Sequence, residues 1–466
     1  MNATYIVDQL AEFACSATQS DIQSLGLLKR NVLDGVACAV GALDGGLIGA
    51  LREHVEQFSG SPTATLVGGG RVSVDQAAFF NSVLVRYPDL LDTYLADGGL
   101  CHPADNLGAV LAVAEHVDAS GGDFLVALAV AYEIQCRFTA QVPLMAGGLN
   151  HALSLAVSSS AAAARLLGLG PSATADAISA ATVDNVSLAA VHAEPVSMWK
   201  GFSPAITAMR AVTVTFLAAR GVTGPKAVFD GPDGLTRLLG RALDFRTDDR
   251  TLAAAGRTYL KQYCSLIHGQ AVIDAALSIS AEHDLDADDV ESVRVEVFRG
   301  AYDFAGGGSY GDKSQVCTKE QADYNLKYLT AVALLDGAVG PEQLEIDRIR
   351  GEDVQNLMQR VTVVPDDELS AAYPDRTPVR VHVRTWRGTD YHLDRADYEG
   401  SPTQPMSWDR VTDKFTWLAE PFCDQSLRAE IVAAVADLDR IAVRDVTTLL
   451  SRIAPTPQRT RTPRRF

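Results

Sequence analysis

Apolar residues recur three and four apart through most of the first 280 positions, so helices dominate the expected structure. The spacing predicts helices over 4–16 and 21–42. In the second, Leu25, Leu28, Val32, Val36 and Val40 form the stripe, and Ser20 is the candidate N-cap. Ser59 to Gly70 reads as a loop, with Thr63 to Val67 extended, and a helix follows from about Ser73 to Val85. Helices over Asn106 to Val117 and Asp123 to Arg137 are divided by Gly121-Gly122. Ala152 to Leu167 presents little but small side chains on the face of Ala156, Ser159 and Ala163, the mark of a central helix that neighbours approach closely. Pro171 to Val186 and Pro204 to Arg220 complete this run, and a further helix spans Gln270 to about Ser280.

The period then changes. Ser292 to Val297 alternates as a half-buried strand does, Val361 to Val364 is a second strand, and Val379 to Thr385 and Thr389 to Leu393 flank the hairpin signal Arg387-Gly388. Lys319 to Gly337 is helical between them, and the helical period returns from Trp408 to Ile453. A chain of 466 residues exceeds one compact core. The fold class expected is therefore α + α/β: a large all-helical domain, discontinuous over 1–269 and 398–454, with a smaller α/β domain inserted over 270–397. Residues 455–466, rich in proline and arginine, are expected to be a disordered tail.

Composition narrows the function classes. Hydrophobic residues make up 47% and aromatics 7%, so the apolar content is chiefly Ala, Val and Leu, which suits packed helices. A net charge of -18 excludes a general nucleic-acid surface but not an anionic substrate, because a few local cations reverse the field inside a pocket. The seven cysteines lack CxxC or CxH spacing, which points to reduced thiols in a cytoplasm. No apolar run of membrane-span length, signal pattern, P-loop or dinucleotide-binding glycine fingerprint is expected from the pattern.

Candidate chemistry gathers around Tyr87-Pro88-Asp89-Leu90-Leu91-Asp92-Thr93-Tyr94 and His102-Pro103-Ala104-Asp105-Asn106. Asp89 and Thr93 are four apart and would share a face on a helical turn. Asp92 is expected to be only a polar helix end, whereas Asp89, Thr93 and His102 together suggest a site. His151 follows Gly147-Gly148, whose backbone freedom fits a loop shaped around a ligand. Lys200 is placed just before a helix start, where it opposes the helix dipole, so a carboxylate clamp explains it better than stability does.

Asp89-Leu90-Leu91-Asp92-Thr93-Tyr94 with His102-Pro103-Ala104-Asp105-Asn106-Leu107-Gly108-Ala109 resembles the signature of the MmgE/PrpD family. Met198-Trp199-Lys200-Gly201, His268-Gly269-Gln270 and Thr318-Lys319-Glu320-Gln321-Ala322-Asp323 are similar to further motifs of that family, in the same order, over about residues 5 to 453. The resemblance implies a large helical domain, an α/β lid and a site in the cleft between them. It also implies a homodimer, no iron–sulfur cluster or other cofactor, and a place in propionate metabolism.

By resemblance the catalytic set is Asp89, His102, His151, Lys200 and His268, with Thr93 and Lys200 binding substrate together with a lid tyrosine, Tyr302 or Tyr310. Tyr324 stands where relatives often carry histidine. The activity implied is cofactor-free hydro-lyase chemistry on a tricarboxylate, as in 2-methylcitrate dehydratase. The alternatives are decarboxylation of cis-aconitate, epimerisation, or an inactive helical binding protein. Loss of water beside a carboxylate needs an α-proton removed and an enediolate stabilised, and each positioned acid or base contributes ~10²–10⁴-fold. Three histidines and a lysine could bind two or three carboxylates and leave one imidazole for the proton, with Asp89 orienting a histidine. A zinc or iron site from the same residues is the weaker idea, since no HxH or HxxxH pair occurs among them.

Overall fold

The computed structural model describes residues 5–97, 99–245, 249–458 and 460–461. Its first half is built from α1 (Ile6–Ser16), α2 (Leu25–Gly41), α3 (Val74–Arg86), α4 (Leu107–His116), α5 (Gly121–Gln141), α6 (Ala152–Leu166), α7 (Pro171–Val183) and α8 (Trp199–Ala218). Almost every side chain of α6 is buried, and α5, α7 and α8 pack around it. Its Ala and Ser residues allow this, because interiors are close-packed and a small side chain lets a neighbouring backbone in. Helix α2 is capped by Ser24, whose side chain accepts from the Leu27 amide. The expected cap, Ser20, instead lies in a short turn and bonds Thr18. Helix α8 is long and apolar enough to cross a membrane, contrary to the expectation from the sequence. It packs against α3, α6 and α7 and is half buried, as a core helix is.

Between α3 and α4 the chain forms a small hairpin, β1 (Tyr94–Ala96) and β2 (Gly99–Cys101). The second half contains α9 (Gln270–His283), β3 (Val290–Val297), α10 (Leu326–Asp336), β4 (Val361–Pro365), β5 (Val379–Thr385) and β6 (Asp390–Arg395). The four strands make one sheet in the order β4-β3-β5-β6, with β3 parallel to β4 and antiparallel to β5. Val293, Val295 and Val297 pair across from Val383, Val381 and Val379, and all six are buried. Alternation puts these valines on the face covered by α9 and α10, with charged residues on the other. The fold is thus mixed, helical with an α/β part, as expected.

The returning helical stretch is three helices: α11 (Trp408–Ala419), α12 (Gln425–Ala436) and α13 (Val443–Ser451). Helices α11 and α12 pack on α2 and α13 on α4, with Lys414 of α11 donating to Asp34 of α2 at 2.6 Å. Beyond them the Gln458 amide donates to the Pro421 carbonyl, and Arg461 is buried against Glu342 and the Trp417 ring. The rest of the tail, 459 and 462–466, lies outside the described residues.

Candidate active site

The segment after α3 is not helical. Arg86 ends α3, and Asp89 turns the chain with a left-handed φ of 49°, uncommon for a residue with a Cβ. Asp89 and Thr93 therefore share no helical face. Thr93 instead pairs its backbone with Tyr259, at 2.8 and 2.7 Å, and this brings the segment 259–268 alongside.

Asp89 is 2% exposed, and its carboxylate is held by two lysines. Lys261 donates to Oδ1 at 2.6 Å and to the Asp89 carbonyl at 3.1 Å; Lys200 donates to Oδ2 at 3.0 Å. Lys200 also donates to Asp323 Oδ1 at 2.7 Å, and Lys319 donates to Asp323 Oδ2 at 3.0 Å and to the Tyr87 carbonyl at 2.8 Å. An alternating chain of charges, buried except at the half-buried Lys319, thus runs Lys261, Asp89, Lys200, Asp323, Lys319. Burial alone would raise the Asp89 carboxyl, but Lys261, Lys200 and Arg86 outweigh it and hold the group well below the usual carboxylate range. Burial likewise opposes the charge on Lys200, yet Asp323 and Asp89 leave its ammonium held more firmly than usual. Lys200 lies within the first turn of α8, not ahead of it. Its Nζ is already shared by two carboxylates, so it is no open clamp. The ammonium beside the free space is Lys261, which burial pushes down from the usual lysine range.

That space is a tight recess of about 10 Å³, room for roughly one water. Its polar wall is Asp89, His102, His192, Lys261, His268 and Tyr324; Leu100, Met145, Leu266, Ile267 and Phe304 supply the apolar part. His102 Nδ1 lies 2.8 Å from the Asp92 carbonyl and 3.1 Å from Thr93 Oγ1. A carbonyl only accepts, so Nδ1 carries the hydrogen and Nε2 keeps a lone pair. Asp89, expected to orient a histidine, binds lysines; the Asp92 carbonyl does the orienting. Burial first, then Arg86 and Lys261, hold His102 well below the ordinary imidazole range, so its ring is neutral. Burial, again with Lys261, takes His268 down to about 3.

Thr93 reaches the site only through His102. The Asp92 side chain braces the fold, taking the Ala104 amide at 2.8 Å and Asn31 at 3.3 Å. His151 stands just ahead of α6 with its ring 5.1 Å from that of His102 and its Nε2 3.4 Å from Asp105. Burial pushes it below the ordinary imidazole range too. Neither candidate tyrosine borders the recess. Tyr310 stacks on Phe304 at 4.4 Å, one layer back, and Tyr302 lies by Arg299. Tyr324 borders it, its ring 4.1 Å from Lys200 Nζ and stacked on His192 at 5.7 Å. His192, Lys261 and Arg86 were not singled out from sequence. Asp323 lies inside a motif quoted above, Lys261 seven residues before His268 and Arg86 three residues before Asp89, but His192 belongs to no motif. Among the described residues no group of three or more His, Cys, Asp or Glu side chains is arranged to hold a metal ion.

Residues 8–248 match the MmgE/PrpD N-terminal domain and residues 263–440 the MmgE/PrpD C-terminal domain. The chain belongs to the MmgE/PrpD family. It resembles 2-methylcitrate dehydratase of Escherichia coli strain K12, 25% identical with 74% of each chain covered. The enzyme of the same name from Cupriavidus necator is 28% identical, also with 74% of each covered. A probable 2-methylcitrate dehydratase of Saccharomyces cerevisiae is 24% identical over 80% of this chain and 76% of its own.

Proposed function

We propose that this protein is a lyase of the hydro-lyase class that removes water from a tricarboxylate of the 2-methylcitrate type, without a cofactor. The observation that carries the reading is His102, a buried neutral imidazole with Nδ1 engaged and Nε2 free, beside the Lys261 ammonium at the recess. Kinship with proteins named 2-methylcitrate dehydratase supports the choice of substrate class.

In this scheme the proton α to a carboxylate passes to His102 Nε2. The electron pair left on carbon is drawn into that carboxylate, and Lys261 opposes the enediolate charge. The pair then forms the carbon–carbon double bond as the C–O bond breaks, and the departing hydroxide takes a proton from a second imidazole, His151, which is recharged by the proton that His102 took, so that water leaves and both rings return neutral. His268 and His192 line the recess as neutral hydrogen-bonding groups, and Lys200 sets the position of Asp89 and through it Lys261.

The same proposal takes 1–269 and 398–454 as one discontinuous helical body and 270–397 as a lid, since α11 and α12 pack on α2 while Phe304 and Tyr324 close the recess. A homodimer in the cytoplasm completes it. The test is incubation of the purified protein with 2-methylcitrate, citrate and cis-aconitate while following enoate absorbance and carbon dioxide. Enoate from 2-methylcitrate, without carbon dioxide and undiminished by EDTA, is the expected result. Carbon dioxide from cis-aconitate would make the protein a carboxy-lyase, and no change with any substrate would leave a binding protein.

A further inference from the structure

Asp105 and His151 stand apart from the charge chain. Asp105 is 1% exposed, in the short turn Pro103–Asn106, and His151 is 2% exposed, immediately ahead of α6. Neither oxygen of Asp105 accepts a hydrogen bond within the described chain. Its neighbour Asp92 braces this turn through the Ala104 amide, so the turn does not account for Asp105. A buried carboxylate without hydrogen bonds is costly to keep. Its nearest partner is the imidazole: His151 Nε2 lies 3.4 Å from Asp105 Oδ2, longer than a well-formed hydrogen bond and within the looseness of unliganded sites.

We infer that Asp105 is a positioning residue for His151: its carboxylate accepts the Nε2 hydrogen, fixing one tautomer and leaving Nδ1 as the lone pair. The consequence rests on the dehydratase reading, in which His151 is the second imidazole available to a reaction with two proton transfers. The ring sits 5.1 Å from His102 and 6.3 Å from His192, so it belongs to the same cluster. The charged groups acting on it are Arg86 and Asp89 besides Asp105, with His102 and His192 as neutral neighbours. Burial and Arg86 oppose protonation of His151, whereas Asp105 favours it. Asp105 is thus placed to stabilise the imidazolium when a proton arrives.

The first test needs no substrate. Nitrogen NMR of the full chain labelled with ¹⁵N-histidine, with His151 assigned by its absence in His151→Gln, should show the Nε2–H tautomer at pH 8. An Nδ1–H tautomer overturns the proposal, whether or not the protein proves to be a dehydratase. The second test is Asp105→Asn on a substrate that turns over. Loss of the anion should lower kcat by about 10²–10⁴-fold, as a misplaced tautomer does, with KM changed by less than about threefold. It should also move the acid limb of the kcat profile to lower pH, because one influence favouring the imidazolium is gone. Unchanged kcat and an unmoved limb in a folded variant overturn it. Loss of activity confined to KM and melting temperature would assign Asp105 to structure alone. If Asp105→Asn does not fold, the wild-type tautomer still decides.

Discussion

His102 and Lys261 are buried beside the same Asp89, yet the first is held neutral and the second is held in an ion pair. The difference lies in their neighbours. Lys261 donates directly to the carboxylate, whereas His102 faces a backbone carbonyl and feels Arg86 and Lys261 as like charges. The base of the proposed reaction is therefore unprotonated well below the ordinary imidazole value of 6.5. The acid limb of kcat/KM, which reports the free enzyme, should fall below pH 6.5, and His102→Gln should lower kcat ~10²–10⁴-fold. A limb centred near 6.5 or above, measured by initial rates across pH, would contradict this assignment. Asp92 shows the opposite shift: burial raises its carboxyl to about 7, with no cation bonded to it. A folded-state pKa raised above the unfolded one contributes stability that is present at low pH and is lost as pH rises through about 7. Asp92→Asn keeps the shape without the charge, so its melting temperature relative to wild type should climb between pH 5 and pH 8. A difference that stays flat with pH would show that Asp92 is not protonated in the fold. Asp89, His102 and His268 stood out because they fall in segments that resemble family motifs, and His151 because it follows Gly147-Gly148. Lys261 and His192 were not, because a buried lysine or histidine has no local signature until its partners in other segments are known.

Elements were legible wherever the hydrophobic period was long. Ala152 to Leu167 and Ser292 to Val297 fell within three residues of the observed α6 and β3. The differences sit at polar residues that compete for backbone amides. Asn325 accepts the Lys327 and Tyr328 amides and so divides the expected helix 319–337 into Lys319–Ala322 and α10. Asp424 caps α12 in the same way and separates it from α11. The turn holding Lys319 and Asp323 reaches Lys200 of α8 and the Tyr87 carbonyl after α3, so one short element ties the C-terminal half of the chain to two N-terminal ones. Asp323 is fully buried and bonded to both lysines. Asp323→Asn leaves Lys319 without its carboxylate and Lys200 with one instead of two. Breaking a buried pair in this way costs about 3–5 kcal/mol. Urea unfolding should show a loss of that order, with Lys200→Met in the same background adding far less than it costs alone. Additive losses would mean that the chain of charges is not one coupled unit.

At the scale of the molecule, the net charge of -18 is carried outside the site, where Arg86, Lys200, Lys261 and Lys319 meet Asp89, Asp105 and Asp323. Apolar surface is unevenly spread as well. Val183, Val186, Leu188, Met198, Trp199, Leu217, Val222 and Leu238 are eight of thirteen large apolar side chains left exposed among the described residues, and all fall between 183 and 238. Val183, Val186 and Leu238 line one groove with Leu149, Leu153 and Pro225. Clustered apolar exposure of this kind marks an interaction face, and the homodimer proposed above gives it a use. Light scattering at micromolar concentration should give twice the chain mass. Replacing Val186 and Leu238 together by aspartate should return it to one chain mass, because a closed two-fold interface would bury each new charge twice. These residues lie outside the recess, so the melting temperature of the variant should report loss of the partner, not of the core. A monomeric wild type, or an aspartate variant that stays dimeric, would assign this surface to some contact other than a second copy of the chain.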